Sequence, residues 1–325
     1  MSTDAAIQIK PELLLCGRDK PLITSELGKA FILHRVDRSQ PIAPEVASRI
    51  RGMAVTGLVP VDQVMLSKFP KLEIISTFGV GYDHIDINYA KSHNVMVTNT
   101  PDVLTEETAD TAIGLLIATV RELVKADRYV RSGQWRKQPY PLSVGSLRDR
   151  TVGIVGLGRI GQAIARRLDA MRVPVVYHAR HRAEGASYRY YPSLIDMARD
   201  VDTLIVVTPG GPATEKLIDA RVLQALGSRG VLINLARGSV VDEDALIDAL
   251  QRGIIMNAGL DVFANEPLVP EALIDMPNTV LLPHIGSASV QTRHAMDMLV
   301  IDNIKAWFSG QGPLTPVPET PFKNR

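Results

Sequence analysis

Residues 151–161, Thr-Val-Gly-Ile-Val-Gly-Leu-Gly-Arg-Ile-Gly, constrain the fold more than any other stretch of this chain. Val152, Ile154 and Val155 form a short apolar run that stops at Gly156. Gly156, Gly158 and Gly161 then take the G-x-G-x-x-G spacing, and Ile160, Ala163, Ile164 and Leu168 recur at helical spacing. A strand that turns this sharply into a helix aims the unsatisfied amides of the helix N-terminus at one point. The pattern therefore predicts a dinucleotide pyrophosphate site over Gly156, Leu157, Gly158, Arg159, Ile160 and Gly161. Without the flanking periodicities the glycines alone would be a weak signal.

The following strand decides between dinucleotides. A carboxylate about 20 residues beyond the glycines normally accepts from the ribose 2′-OH of NAD. Here the apolar run 173–177 leads into His178-Ala179-Arg180-His181-Arg182, with Ala179 where that acid would stand. Arg180 and Arg182 suit a 2′-phosphate instead. A charge-assisted hydrogen bond is worth about 1.5–3 kcal/mol, which is roughly a tenfold to hundredfold preference. The segment predicts NADPH, with NADH weaker; the alternative reading is an ordinary basic surface loop.

Short apolar runs at 13–16, 30–33, 52–56, 73–76 and 95–98 alternate with helical or turn segments, and predict a first βα unit. A long helix is expected over 104–131, with Ala109, Ile113, Leu116, Ile117, Val120 and Val124 on a broad apolar face that suits either an interface or burial. Residues 132–150 are rich in turn formers and read as an arm. Beyond the glycine motif, strands near 202–207, 231–234, 255–260 and 279–282 complete a doubly wound sheet. A last helix at 290–307 has no strand after it, so it is expected to pack back on the first unit. The fold expected is α/β: two Rossmann-like domains with parallel sheets, a flavodoxin-like substrate domain at 1–103 plus 287–325 and a dinucleotide-binding Rossmann domain at 104–286.

The 325 residues suffice for two such cores. With 36 basic and 35 acidic residues the net charge is +1, which gives no reason to expect nucleic acid or an anionic membrane as a partner. Cys16 is the only cysteine, excluding an internal disulfide and a multi-cysteine metal site. His84 and His93, beside Asp83 and Asp86, lack the spacing of a metal site on a helix face, so no metal is expected. With no apolar run near 18 residues and no signal-like start, the expected compartment is the cytoplasm.

Three residues stand at the C-terminal ends of expected strands, where open α/β sheets bind ligands. Arg237 follows 231–236, Glu266 follows 259–265, and His284 follows 280–283. Singly, each is equally compatible with a cap or a loop residue. Together they form an acid–base and carboxylate-binding set beside a nicotinamide site.

The segments around them, Leu-Ala-Arg-Gly-Ser-Val-Val-Asp-Glu (235–243), Ala-Gly-Leu-Asp-Val-Phe-Ala-Asn-Glu-Pro (258–267) and Leu-Pro-His-Ile-Gly-Ser (282–287), resemble the signatures of the D-2-hydroxyacid dehydrogenase family. Residues 100–105, 156–168 and 180–182 carry a closer similarity to its NADPH-dependent glyoxylate/hydroxypyruvate reductase branch, near the hydroxyphenylpyruvate reductases. The resemblance implies an oxidoreductase that reduces small 2-oxo acids, as a homodimer. It implies His284 as general acid, Glu266 as the partner stabilising its charged form, and Arg237 as binder of the substrate carboxylate and carbonyl. It places Val80 and Gly81 at the substrate carboxylate, Met53 (with Ala54 and Val55) at the substrate tail, and Trp135 at its own or a neighbouring subunit's site. It places Thr108, Leu235, Ala236, Asp261 and Gly286 around the nicotinamide, Asp261 at its carboxamide, and Thr208 and Pro209 on the adenosine side. Formate dehydrogenases of this fold carry Gln where Glu266 stands, which argues against formate oxidation. Dinucleotide-sensing corepressors share the fold, but carry interaction extensions absent from this sequence.

Overall fold

The computed structural model describes residues 10–35, 42–57, 59–143 and 145–322. They divide into two compact units, Met1–Leu104 with Val290–Arg325, and Thr105–Ser289.

In the first unit β1 (Glu12–Gly17), β2 (Ile32–Arg35), β3 (Ile50–Thr56), β4 (Ile74–Phe78) and β5 (Met96–Thr98) form a parallel sheet in the order β2-β1-β3-β4-β5. This is the flavodoxin-like order. The crossovers carry α1 (Pro21–Gly28), α2 (Pro44–Ala47), α3 (Gln63–Leu66) and α4 (Ile87–Ser92). Asp62 and Asp86 start α3 and α4 by accepting from the amides of Met65 and Tyr89. The C-terminal helix Val290–Phe308 packs on β4 and α1. Gly52 permits its approach, since a Cβ there would lie 2.6 Å from Leu13 and 3.1 Å from Phe308. Beyond the helix, Pro316 bridges Thr98 in antiparallel fashion and so covers the β5 edge of the sheet.

The second unit holds seven parallel strands: β6 (Val152–Val155), β7 (Val175–His178), β8 (Arg189–Tyr191), β9 (Thr203–Val206), β10 (Val231–Asn234), β11 (Asn257–Leu260) and β12 (Thr279–Leu281). Their order, β12-β11-β10-β9-β6-β7-β8, reverses direction between β6 and β9, which places a binding crevice at the C-terminal ends of those strands. Its helices are α5 (Thr105–Val120), α6 (Leu123–Arg131), α7 (Arg159–Ala170), α8 (Leu194–Asp200), α9 (Ala220–Leu226), α10 (Glu243–Gln251) and α11 (Glu271–Asp275). Ser193, Asp219 and Asp242 cap α8, α9 and α10 through their side chains. Two buried apolar clusters sandwich the sheet, one gathering Leu115, Leu116, Ile164 and Leu168, the other Met197, Leu223, Leu246 and Leu250. No helix among the described residues is long and apolar enough to cross a membrane.

Two local features differ from expectation. The single helix expected over 104–131 is two, because Glu122 adopts a left-handed backbone, φ +52°. The carbonyls that end α5 are taken by side chains from elsewhere: Asn257 Nδ2 donates to Thr119 at 3.0 Å and Ser143 Oγ to Val120 at 3.4 Å. The edge strand β8 was not expected either; only three residues long, it has no apolar alternation to reveal it.

Candidate active site

The three glycines of the turn meet three different demands. Gly156 has φ +102°, and a Cβ on it would lie 2.9 Å from the amide of Thr208, which with Pro209 begins the loop after β9. A Cβ on Gly161 would sit 2.1 Å from the Gly156 carbonyl oxygen, so only glycine lets α7 pack this close to β6. Beside Gly158 there is no atom within 4 Å of where a Cβ would stand. That open position precedes Arg159 and Ile160, the first residues of α7, at a helix N-terminus with no side-chain cap. Leu157 is buried, and its carbonyl accepts from Gln162 Nε2 at 3.3 Å, which fixes the turn. The cradle fits a dinucleotide pyrophosphate.

At the end of β7, Tyr190 of β8 donates to the Ala179 carbonyl at 3.1 Å, and Ala183 donates its amide to the Tyr177 hydroxyl at 3.0 Å. These bonds shape the loop that carries Arg180 and Arg182. Both are exposed and neither is engaged in an ion pair among the described residues. The unexpected strand β8 is thus part of what presents the basic loop.

Asn234, 1% exposed at the end of β10, accepts from the Ala236 amide at 3.0 Å and donates to the Arg237 carbonyl at 3.1 Å. This clamp orients Leu235, Ala236 and half-buried Arg237, whose Nη1 also donates to the Ala236 carbonyl at 2.8 Å. Gly238 lies against the Phe263 carbonyl, where any Cβ would fall within 2.0 Å, so the loop bearing Arg237 abuts the one leading to Glu266. Glu266 accepts from the Phe263 amide at 3.2 Å and meets His284 Nδ1 at 2.7 Å. Burial pushes the Glu266 carboxyl upward, but the hydrogen bond and charge of His284, the Phe263 amide and the Arg237 charge outweigh it, and the net shift is down. With Nδ1 committed to an anion, Nε2 of His284 has no partner among the described residues. The pair can hold a proton at Nε2 and release it.

His284 itself has φ +56°, an uncommon conformation for a residue with a side chain. Asp261, 2% exposed at the end of β11, closes this turn by accepting from the amides of Ile285 at 2.7 Å and Gly286 at 2.8 Å. Burial raises the Asp261 carboxyl against those two amides. Expected at a nicotinamide carboxamide, Asp261 thus has a first task in holding the backbone after His284. Thr108 and Leu235 both lie within 4 Å of where a Cβ on Gly286 would stand, and Thr111 Oγ1 donates to the Gly286 carbonyl at 3.3 Å. Thr108, Leu235, Asp261, His284 and Gly286 are therefore brought together. Sequence reading missed Asn234, Tyr177 and Tyr190, which act through loop backbone; an Asn at a strand end just before Arg237 was the one available signal.

In the first unit, Val80 and Gly81 follow β4, and neither amide has an acceptor among the described residues. The Met53 side chain is 0% exposed in the middle of β3, packed in the core with Leu14, Ile75 and Leu66, and Ala54 and Val55 are also buried. Trp135 is 64% exposed on a 3₁₀ turn of the arm, near in sequence to the exposed Leu123, Val130 and Leu142.

Residues 113–286 match the model of the D-isomer specific 2-hydroxyacid dehydrogenase NAD binding domain. The chain is 47% identical over 308 residues to a glyoxylate/hydroxypyruvate reductase A of Arabidopsis thaliana, covering 94% of this chain and 98% of the relative. It is 43% identical over 309 residues to the hydroxyphenylpyruvate reductase of Plectranthus scutellarioides, covering 94% and 98%. The crystal structure of an NADPH-dependent glyoxylate/hydroxypyruvate reductase from Sinorhizobium meliloti, in complex with NADP and malonate, superimposes with a TM-score of 0.93 at 52% identity, covering 97% of this chain and 99% of that one. By sequence and structure this chain belongs to the D-isomer specific 2-hydroxyacid dehydrogenase family.

Proposed function

We propose that this chain is an NADPH-dependent reductase of small 2-oxo acids, glyoxylate and hydroxypyruvate, yielding D-2-hydroxy acids. The observation that carries the reading is the 2.7 Å contact between Glu266 and His284 Nδ1, at a strand end of a dinucleotide-binding sheet. NADPH, when bound, supplies the hydride. The residues that would hold it are the 156–161 turn, Thr208 and Pro209, Arg180 and Arg182 beside Ala179, and Thr108, Leu235, Ala236, Asp261 and Gly286. Unit 2 is in this reading the cofactor-binding domain and unit 1 the substrate domain.

His284 gives the proton at Nε2 to the carbonyl oxygen of the substrate, while Glu266 stabilises the cationic ring before transfer and fixes its tautomer. Arg237 binds the substrate carboxylate and counters the negative charge that develops on the carbonyl oxygen. The family resemblance assigns the amides of Val80 and Gly81, in the loop after β4, to the binding of a substrate carboxylate. A second reading, reduction of hydroxyphenylpyruvate, is supported by the Plectranthus relative.

The reading includes a homodimer, supported by Leu123, Val130, Trp135 and Leu142, large apolar side chains exposed on α6 and the arm. Sedimentation of a Val130→Asp, Leu142→Asp double variant as a dimer would remove that support. The function itself is tested by comparing kcat/KM for NADPH and NADH oxidation with glyoxylate, hydroxypyruvate, pyruvate and hydroxyphenylpyruvate. A tenfold or greater lead for NADPH with a short substrate is expected. A lead for NADH defeats the reading of Arg180 and Arg182, and no turnover with any substrate defeats the reductase.

A further inference from the structure

We propose that the C-terminal segment 314–320 is a positioning element for the substrate loop 79–82, and that it acts through Asn99. The proposal rests on the reading that the amides of Val80 and Gly81 hold the substrate carboxylate.

A peptide group is planar and trans, so its N–H points opposite to its C=O. Whatever fixes a carbonyl therefore aims the amide of the next residue. The Gly79 carbonyl accepts from the Thr100 amide at 2.9 Å, which sets the direction of the Val80 N–H. The Val80 carbonyl accepts from Asn99 Nδ2 at 2.8 Å, which sets the direction of the Gly81 N–H. The first restraint is backbone, available to any residue at position 100 except proline. The second is a side chain, and so depends on the identity and the anchoring of Asn99.

That anchoring comes from the C-terminal segment. Thr315 Oγ1 donates to the Asn99 carbonyl at 2.6 Å, and the Asn99 amide donates to the Thr315 carbonyl at 3.3 Å. Thr315 is itself held by Asn303, 0% exposed in the C-terminal helix. Asn303 Nδ2 donates to Thr315 Oγ1 at 2.9 Å, and its Oδ1 accepts from the amides of Leu314 and Thr315 at 2.9 and 3.0 Å. Further along, Val317 is 1% exposed in the core and its amide donates to Val97, while Thr320 Oγ1 accepts from the Val97 amide. A second tether reaches the loop directly, because the Tyr82 hydroxyl donates to the Glu319 carboxylate at 3.0 Å. An unbroken path thus runs from Asn303 through Thr315 and Asn99 to the peptide that carries the Gly81 amide.

The test uses the full chain and steady-state kinetics with glyoxylate and NADPH. Loosening one neutral hydrogen bond should raise the glyoxylate KM about threefold to tenfold in Asn99→Ala and in Thr315→Val, with kcat and the NADPH KM little changed, because carboxylate binding is common to ground and transition states. Thr315→Ser keeps the hydroxyl and should keep the wild-type KM. The Asn99→Ala, Thr315→Val double variant should be no worse than Asn99→Ala alone, since both interrupt one path. Gly81→Pro deletes one of the two amides and serves as reference. If it raises the glyoxylate KM while Asn99→Ala and Thr315→Val do not, the loop holds the carboxylate and the positioning role is overturned. If Gly81→Pro leaves that KM unchanged, the loop reading fails and the proposal with it. Should Asn99→Ala not fold, the near-isosteric Thr315→Val and its serine rescue decide the matter.

Discussion

Glu266 Oε2 lies 2.7 Å from His284 Nδ1, which leaves Nε2 of the ring without a partner among the described residues. Replacing His284 with Ala should therefore lower kcat/KM for reduction by about 10²–10⁴-fold, with NADPH binding, followed by fluorescence titration, retained. On the proposed mechanism Glu266→Gln takes away the carboxylate that holds Nδ1 and should lower kcat/KM by about tenfold or more, with NADPH binding retained. Unchanged turnover in Glu266→Gln would show that the carboxylate is dispensable for the reaction.

Arg180 and Arg182 leave the end of β7 on a loop shaped by Tyr177 and Tyr190. Arg180→Ala and Arg182→Ala should reduce the kcat/KM preference for NADPH over NADH by about tenfold to a hundredfold in the variant that loses the phosphate contact, leaving the NADH value near wild type. Equal losses with both cofactors would mean that the loop contributes structure rather than recognition.

At the opposite end of the Rossmann sheet, Arg150 is 4% exposed and joins neighbouring strand ends. Its Nη1 donates to the Asp202 carbonyl at 2.8 Å and the Arg229 carbonyl at 2.9 Å. Arg150→Met removes the donor from both part-buried carbonyls, but the Asp202 carbonyl keeps the Val231 amide at 3.1 Å, so the Arg229 carbonyl bears most of the loss. Denaturant unfolding should register a loss of roughly 1–3 kcal/mol, with the KM values for glyoxylate and NADPH unmoved. A loss below about 1 kcal/mol would mean that water replaces the guanidinium.

Glu12, 9% exposed at the start of β1, accepts from Arg49 Nε and lies 2.7 Å from His34 Nε2. The Arg49 hydrogen bond lowers the Glu12 carboxyl against the opposing effect of burial, and His34 adds to the lowering. A carboxyl whose folded value is depressed contributes stability above its unfolded value, about 4.3, and loses it as pH falls through the depressed one. Glu12→Gln should thus lower Tm at neutral pH, with the gap to wild type closing as the solution is acidified below that range. Parallel Tm curves down to about pH 3 would refute the linkage.

Much of this architecture is legible in the chain because its determinants are local. The apolar run before Gly156, the helical recurrence after it and the Asp caps at 219 and 242 each act within a few residues. The positions of Arg237, Glu266 and His284 follow from knowing where strands stop. What was not legible is non-local. Glu122 breaks a helix with neither glycine nor proline, because Asn257 and Ser143 capture the carbonyls that end α5. The strand around Met53 is buried on both faces, and such a strand shows no alternation from which to choose a face. Asn99 and Thr315 are separated by 216 positions, so nothing in either neighbourhood advertises their bond.

The left-handed backbone at His284 carries one more consequence. Glycine enters that region without the steric cost a side chain meets there, roughly 1 kcal/mol, so the histidine at this turn sits where its own backbone would prefer another residue. Asp261 resolves the conflict by holding the two amides that follow. Glycine at position 284 would relax the backbone but would also leave the half-buried Glu266 without its 2.7 Å partner, and an unpaired buried group costs about 1–3 kcal/mol. The turn is thus kept by what its side chains hold rather than by its own backbone preference.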